Sequence, residues 1–417
     1  MPKAMGFRHK ATVSIIPILA LGDQALFAMA NVLIQVLVAR SVSTAEFGAY
    51  TVASTFFFVA ATVHQTCIVE PMFIFSARRY LGSIGDYHAH LRSNWSILFG
   101  VAVWSCGVLL AIPAFAIGSD VLGWCLVIFA FISPFILYLW LLRRMAFILS
   151  RIDLSAAASG IYACVLLLTA VIASITSGLD AVGAIALSGL AAIVAAIFLL
   201  RLLPWPKAIG ASLQDLPLQH FRYGRWALGS EMINWVLING PILLMPIWFG
   251  LAASGQLRTI NLLFMPMLQI VSVSSMLLMR ELARTSNVDQ NVSKIRQFFY
   301  VLLIGGTAYS VVVWVTGPTV APLIFGESYR LDARVLVLAG AGVTFLIAAQ
   351  AFFVALRMRE QPLLVLIVHA VALAVLLCSI PFIIRYGIMG VLGAQAFGWF
   401  TAMIVAGALV RRHHPVG

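Results

Sequence analysis

Apolar runs of twenty or more residues recur along almost the whole chain, broken by short polar turns, and none alternates as a half-buried strand would. In hydrocarbon every backbone polar group must be paired within its own segment, and about 20 residues of helix cross the apolar layer. The pattern therefore predicts spanning helices and not a membrane barrel. Twelve are expected, at 13–39, 47–75, 94–117, 121–142, 156–176, 181–203, 226–249, 254–278, 298–318, 333–355, 362–384 and 388–410. The longest polar interruption, 204–225, opens with Pro204-Trp205-Pro206. It separates an N-terminal six-helix lobe (1–203) from a C-terminal six-helix lobe (226–417). Six is even, so both lobes start on the same side, as parallel repeats related by an axis along the membrane normal.

Polar positions inside the apolar runs carry the next layer of information. Asp23 lies near the middle of the first run, at a depth where an ionisable group costs a few kcal/mol and is by default a functional candidate. Gln24, Asn31 and Gln35 fall within roughly 40° of one another on that helix, a stripe suited to a cavity or a partner helix. Asp23 itself reads either as a hydrogen-bonded packing residue or as an ion-coupling group. The second helix carries His64, Cys67 and Glu70, followed by Pro71. A proline leaves the carbonyl four residues earlier without its helical donor. Glu70 beside such a break reads as a proton or cation site, or as an early helix end at the interface.

In the seventh helix Glu231 is followed by Asn234 and Asn239, then Pro241 and Pro246, which predict a bend or partial break lining a cavity, or a polar interhelical contact. The eighth helix has Arg258, Asn261, Met265, Gln269 and Ser272 within about 80°. Arg258 at its head would contact an anion or snorkel to the surface. Several of these positions recur at a constant offset of 207–208 residues: Asp23 with Glu231, Asn31 with Asn239, Gly48 with Gly255, and Gly183 with Gly390. The offset is about half the chain and points to an internal duplication.

Composition agrees: 62% of the 417 residues are hydrophobic and 10% charged, against about 25% charged in soluble domains. The net charge of +12 would suit nucleic acid, but topology explains it more simply. With the N-terminus in the cytoplasm, 21 of the 26 Lys and Arg residues, Arg92, Arg143, Arg144 and Arg357 among them, fall on cytoplasmic segments. Both termini are then cytoplasmic. Ala28-Met29-Ala30 resembles a signal-peptidase site, but Asp23 interrupts the run before it and the apolar stretch continues to Ala39, so it reads as a retained helix. The five cysteines have no metal or pairing spacing and read as small core residues. No phosphate-gripping loop, cofactor motif or metal cluster is present.

Asp23-Gln24-Ala25-Leu26 with Asn31, Ala39-Arg40, Glu46-Phe47-Gly48 and Glu70-Pro71-Met72 resembles the first helices of bacterial polysaccharide exporters. Leu257-Arg258 with Pro266, Gly326-Glu327-Ser328-Tyr329, and Tyr386-Gly387-Ile388-Met389-Gly390 are similar to positions in the second half. Ser41-Val42-Ser43-Thr44 departs from the usual Gly-Pro turn. The family comprises O-antigen and capsular polysaccharide flippases, within the group that includes multidrug and toxin extrusion transporters and lipid II flippases. The resemblance implies an all-α integral membrane protein, two six-helix lobes around a central cavity, in the bacterial inner membrane. It implies translocation of a polyprenyl-pyrophosphate-linked oligosaccharide by alternating access, coupled to H+ or Na+, beside other polysaccharide assembly proteins and membrane lipids. Gln24, Asn31, Gln35, Asn234, Asn239, Arg258, Asn261 and Gln269 would line the cavity, and Asp23, Glu70 and Glu231 would serve ion coupling. An exporter of small amphipathic cations is the main alternative. A membrane-embedded polymerase or ligase would need a larger outer loop than the chain has.

Overall fold

The computed structural model describes residues 6–77, 79–210, 213, 215–282, 288–358 and 361–412. They form an all-helical membrane protein. Eleven helices are long and apolar enough to cross a membrane, and a pair bent by 50°, Leu363–Cys378 with Ile380–Tyr386, supplies a twelfth span. Contacts divide the chain into two compact units, 1–225 and 226–417.

In the first unit the spans are Leu19–Ser41, Thr44–Ser76, Leu81–Ala116, Asp120–Ile148, Ile152–Thr176 and Ala181–Leu202. The fourth is central and packs on the second, third and sixth, while the fifth packs on the first and sixth. In the second unit the spans are Leu228–Phe249, Leu251–Ser275, Gln290–Phe325, Ala333–Met358, the bent pair, and Ile388–Arg412. Here the tenth span packs on the eighth, ninth and twelfth, and the eleventh on the twelfth. Each unit thus repeats one packing scheme around its fourth helix.

Most prolines inside these helices do not interrupt them; the exception is Pro381, in the first turn of the second arm of the bent pair. The second span passes from helix Thr44–His64 through a single π-helical turn, Gln65–Val69, into helix Glu70–Ala77. The seventh runs unbroken within Leu216–Phe249 despite Pro241 and Pro246. Three of the freed carbonyls are instead bound by side chains. Pro71 cannot serve Cys67 O, which accepts from His220 Nδ1 at 2.9 Å. Pro241 cannot serve Leu237 O, which accepts from Gln395 Nε2 at 3.0 Å. Pro246 cannot serve Ile242 O, which accepts from Ser254 Oγ at 2.7 Å. Bilayer-depth prolines are tolerated when neighbouring helices re-satisfy the backbone in this way. Gln395→Leu should therefore cost about 1–3 kcal/mol in thermal or denaturant unfolding in detergent. Adding Pro241→Ala, which returns an N–H to Leu237 O, should recover most of it.

Other sequence features find structural uses. The Glu46 carboxylate accepts the Ala181 N–H at 3.0 Å, tying the start of the second span to the start of the sixth. Gly387 sits at φ +58, and a Cβ at Gly390 would lie 2.7 Å from Phe382 O, so both glycines are required where the bent pair meets the twelfth span.

Two expectations are corrected. The helices run further than hydropathy suggests, because arginines with internal partners need no loop. Arg92, Arg143, Arg144 and Arg357, counted as loop anchors, all lie within helices. Of the cysteines only Cys125 is buried. Cys67 is half-buried, and Cys106, Cys164 and Cys378 are exposed, because a thiol is apolar enough to sit on a lipid-facing surface.

Candidate functional site

Asp23 is fully buried. Its carboxylate takes a fork from Arg143, with Nη2 to Oδ2 at 2.8 Å and Nε to Oδ1 at 3.2 Å. Ser155 and Ser159 also donate to Oδ1, at 3.0 and 2.6 Å. Those serines are four residues apart on the fifth span, so one helix face presents both hydroxyls. Tyr162 continues that face and donates to Asn31 Oδ1 at 3.1 Å. Between the two polar positions Phe27 stacks on Tyr162 at 4.5 Å, and the Arg143 guanidinium lies 4.3 Å from the Phe27 ring centre. One residue along from Asp23, the Gln24 amide, turned to present its oxygen, accepts from both terminal nitrogens of Arg144 at 2.8 and 2.9 Å. Gln35 is buried and donates to Asn31 O at 2.7 Å. Of the polar stripe expected to line a cavity, Gln24 and Asn31 are thus hydrogen-bonded to the fourth and fifth spans, and Gln35 to the backbone of its own helix.

The second unit carries a looser counterpart. Glu231 meets Arg357 of the tenth span, Oε1 to Nη2 at 3.6 Å, with side chains 34% and 45% exposed. His369 of the eleventh span reaches the Ser230 backbone. Acid on the first helix of a unit and arginine on its fourth is therefore a shared motif, sealed in one unit and open in the other. Asn234 is half-buried, and Asn239 is half-buried with its amide toward Trp235 O at 3.4 Å.

On the eighth span the stripe grades from buried to exposed. Arg258 is 5% exposed and so does not extend to a surface. Asn261 and Met265 are half-buried, and Gln269 and Ser272 exposed. Glu70, half-buried, follows the π-helical turn, within electrostatic range of Tyr223 and Cys67. Among the described residues no group of three or more His, Cys, Asp or Glu could hold a metal.

Sequence reasoning missed Arg143, Arg144, Arg357, Ser155, Ser159 and Tyr162. A pair of arginines after an apolar run looks the same whether it anchors a loop or enters a helix. The four-residue serine spacing on the fifth span was the available clue.

No protein family and no curated protein matches the chain by sequence. Solved structures do match, across nearly the full length. An inward-facing multidrug resistance MATE family transporter of the MOP superfamily superposes with a TM-score of 0.70 at 14% identity, covering 94% of this chain and 97% of that one. A MOP superfamily transporter from Pyrococcus furiosus gives 0.64 at 14%, covering 96% and 94%. The lipid II flippase MurJ, in an inward closed conformation, gives 0.62 at 12%, covering 94% and 87%. The chain shares the fold of these solved structures.

Proposed function

We propose that the protein is a flippase that moves a polyprenyl-pyrophosphate-linked oligosaccharide across a bacterial inner membrane by alternating access, with both termini cytoplasmic. One observation carries the choice of an anionic substrate. The carboxylates of the first and seventh spans are already matched by arginines, Asp23 by Arg143 and Glu231 by Arg357, while Arg144 and the buried Arg258 add further positive charge. An exporter of cations would need uncommitted carboxylates at that depth. A pyrophosphate needs fixed cations, and arginine offers its oxygens a planar fork. Asn234, Asn239, Asn261 and Gln269 can bond sugar hydroxyls that otherwise cross about 30 Å of hydrocarbon unpaired. Ion coupling is assigned to the half-buried Glu70 and to Glu231, whose pair with Arg357 is long at 3.6 Å and open enough for the arginine to be traded for H+ or Na+ during the cycle.

The cation-exporter reading keeps support from the MATE likeness. A strain lacking the gene separates the two. On the flippase reading it accumulates lipid-linked oligosaccharide on the cytoplasmic leaflet, and the gene in trans clears it. Normal leaflet distribution with raised sensitivity to cationic drugs would favour the exporter.

A further inference from the structure

The segment that joins the two units has the composition of a flexible linker, yet it is bound to the first unit at several successive points. The Trp205 ring lies 3.8 Å under the Arg92 guanidinium, and its indole N–H donates to Leu200 O at 3.0 Å. The Asp86 carboxylate accepts the N–H of Ile209 at 3.0 Å and of Gly210 at 2.9 Å. Gly85 faces the Lys207 carbonyl so closely that any Cβ would collide with it. Tyr80 Oη donates to Gln219 Oε1 at 2.6 Å. His220, fully buried, bridges the Cys67 carbonyl on Nδ1 and Tyr87 Oη on Nε2, both at 2.9 Å. Nδ1–H must donate to the carbonyl, so Nε2 accepts from Tyr87. Burial holds this imidazole below its ordinary pKa, in keeping with a neutral ring. At Gly224 an added Cβ would lie 3.1 Å from Cys67 Sγ, so the helix presses against the π-helical turn there.

Beyond these contacts the helix Leu216–Phe249 continues without a break into the second unit, where Glu231 is tied to Arg357. Between the two attachments lies Gly229, a glycine in a helix interior where a Cβ would meet nothing within 4 Å. No neighbour requires its missing side chain. What it supplies is backbone freedom.

We propose that residues 203–210 and 215–225 are held as a rigid strap belonging to the first unit, and that the chain flexes at Gly229 when the units move. The proposal rests on the alternating-access reading for the existence of that motion. The linker is then not the joint. The joint is in the first helix of the second unit, and Asp86, His220 and Gly85 are positioning residues that hold one side of it still. One anchor is the Cys67 carbonyl, which Pro71 cannot serve and which His220 binds at 2.9 Å.

Pulsed spin-label distances on the full-length protein in nanodiscs test this. One pair, Leu81→Cys with Ile209→Cys in a background without other cysteines, spans the first unit and the strap. A second pair, Leu81→Cys with Leu363→Cys, spans the two units. Distances are compared at pH 5.5 and 8, with and without Na+ and added polyprenyl pyrophosphate. The strap pair should keep one narrow distance in every condition while the unit pair shifts. Asp86→Asn with His220→Phe should give the strap pair a second population. Gly229→Ala should narrow the unit pair's range and leave the strap pair unchanged, and Gly160→Ala, a helical glycine equally free of neighbours, should change neither. A strap distance that shifts together with the unit pair overturns the strap. A unit range unaltered by Gly229→Ala overturns the joint. A unit pair constant in every condition would instead contradict the alternating-access reading, and with it the joint, while the strap distance still tests the strap.

Discussion

Arg143→Ala should destabilise the folded protein by about 3–5 kcal/mol, the usual cost of leaving one member of a buried ion pair behind. Asp23 has no exposure and would retain the Ser155 and Ser159 hydroxyls as hydrogen-bond partners, with Arg144 within electrostatic range but not bonded to it. Two hydroxyls do not replace a guanidinium fork in a low-dielectric interior. Arg143→Lys should fall between, since an ammonium cannot hold both carboxylate oxygens in plane. Asp23→Leu with Arg143→Leu should recover much of the loss, because a buried pair is worth little more than a well-packed apolar one. In the second unit Arg357→Ala should cost at most about 1 kcal/mol, as expected of a pair exposed to this degree. Unfolding in detergent by heat or denaturant measures all of these. Equal losses from Arg143→Ala and Arg357→Ala would contradict the contrast between a sealed and an open pair. Because Asp23→Asn disturbs the same cluster, lost transport in that variant would not by itself assign coupling to Asp23. Glu231→Gln and Glu70→Gln are the cleaner tests of ion dependence.

Arg258 should give the largest effect on transport. On the proposed function it is the cation that meets pyrophosphate. A charge-assisted hydrogen-bonded contact is worth roughly 1.5–3 kcal/mol, so Arg258→Ala should lower transport about ten- to a hundredfold at unchanged protein level. Arg258→Glu should abolish it, and Arg258→Lys should be impaired, having charge without the fork. Polymer export by each variant in a deletion strain, at matched expression, is the readout. Full export from Arg258→Ala would remove Arg258 from the site.

Much of the fold was legible because hydropathy reports it directly: a membrane span is a length of apolar residues, and a lobe is a run of such lengths. The offset linking Asp23 to Glu231 also foreshadowed a real correspondence, since both acids meet an arginine on the fourth helix of their unit. Which partner each polar group takes was not legible. Asp23 is the same letter whether it faces water or Arg143, and only the packing of the first span on the fourth and fifth decides. Pro241 and Pro246 suggested a broken helix, yet Gln395 and Ser254, remote in sequence or on the next span, close the ladder from outside. The strap was hidden for a related reason. Its anchors at Asp86, Tyr87 and Cys67 lie more than a hundred residues from the backbone and side-chain groups they hold, and nothing in local composition pairs them.

The most direct measurement is made on the purified protein in liposomes. A fluorescent polyprenyl-pyrophosphate-linked oligosaccharide is placed in both leaflets and its accessibility to an impermeant quencher is followed over time, beside a parallel experiment with a cationic dye. The proposed function predicts protein-dependent exchange of the lipid-linked oligosaccharide, lost in Arg258→Glu, and no protein-dependent movement of the dye. Transport of the dye with no exchange of the lipid-linked oligosaccharide would contradict it.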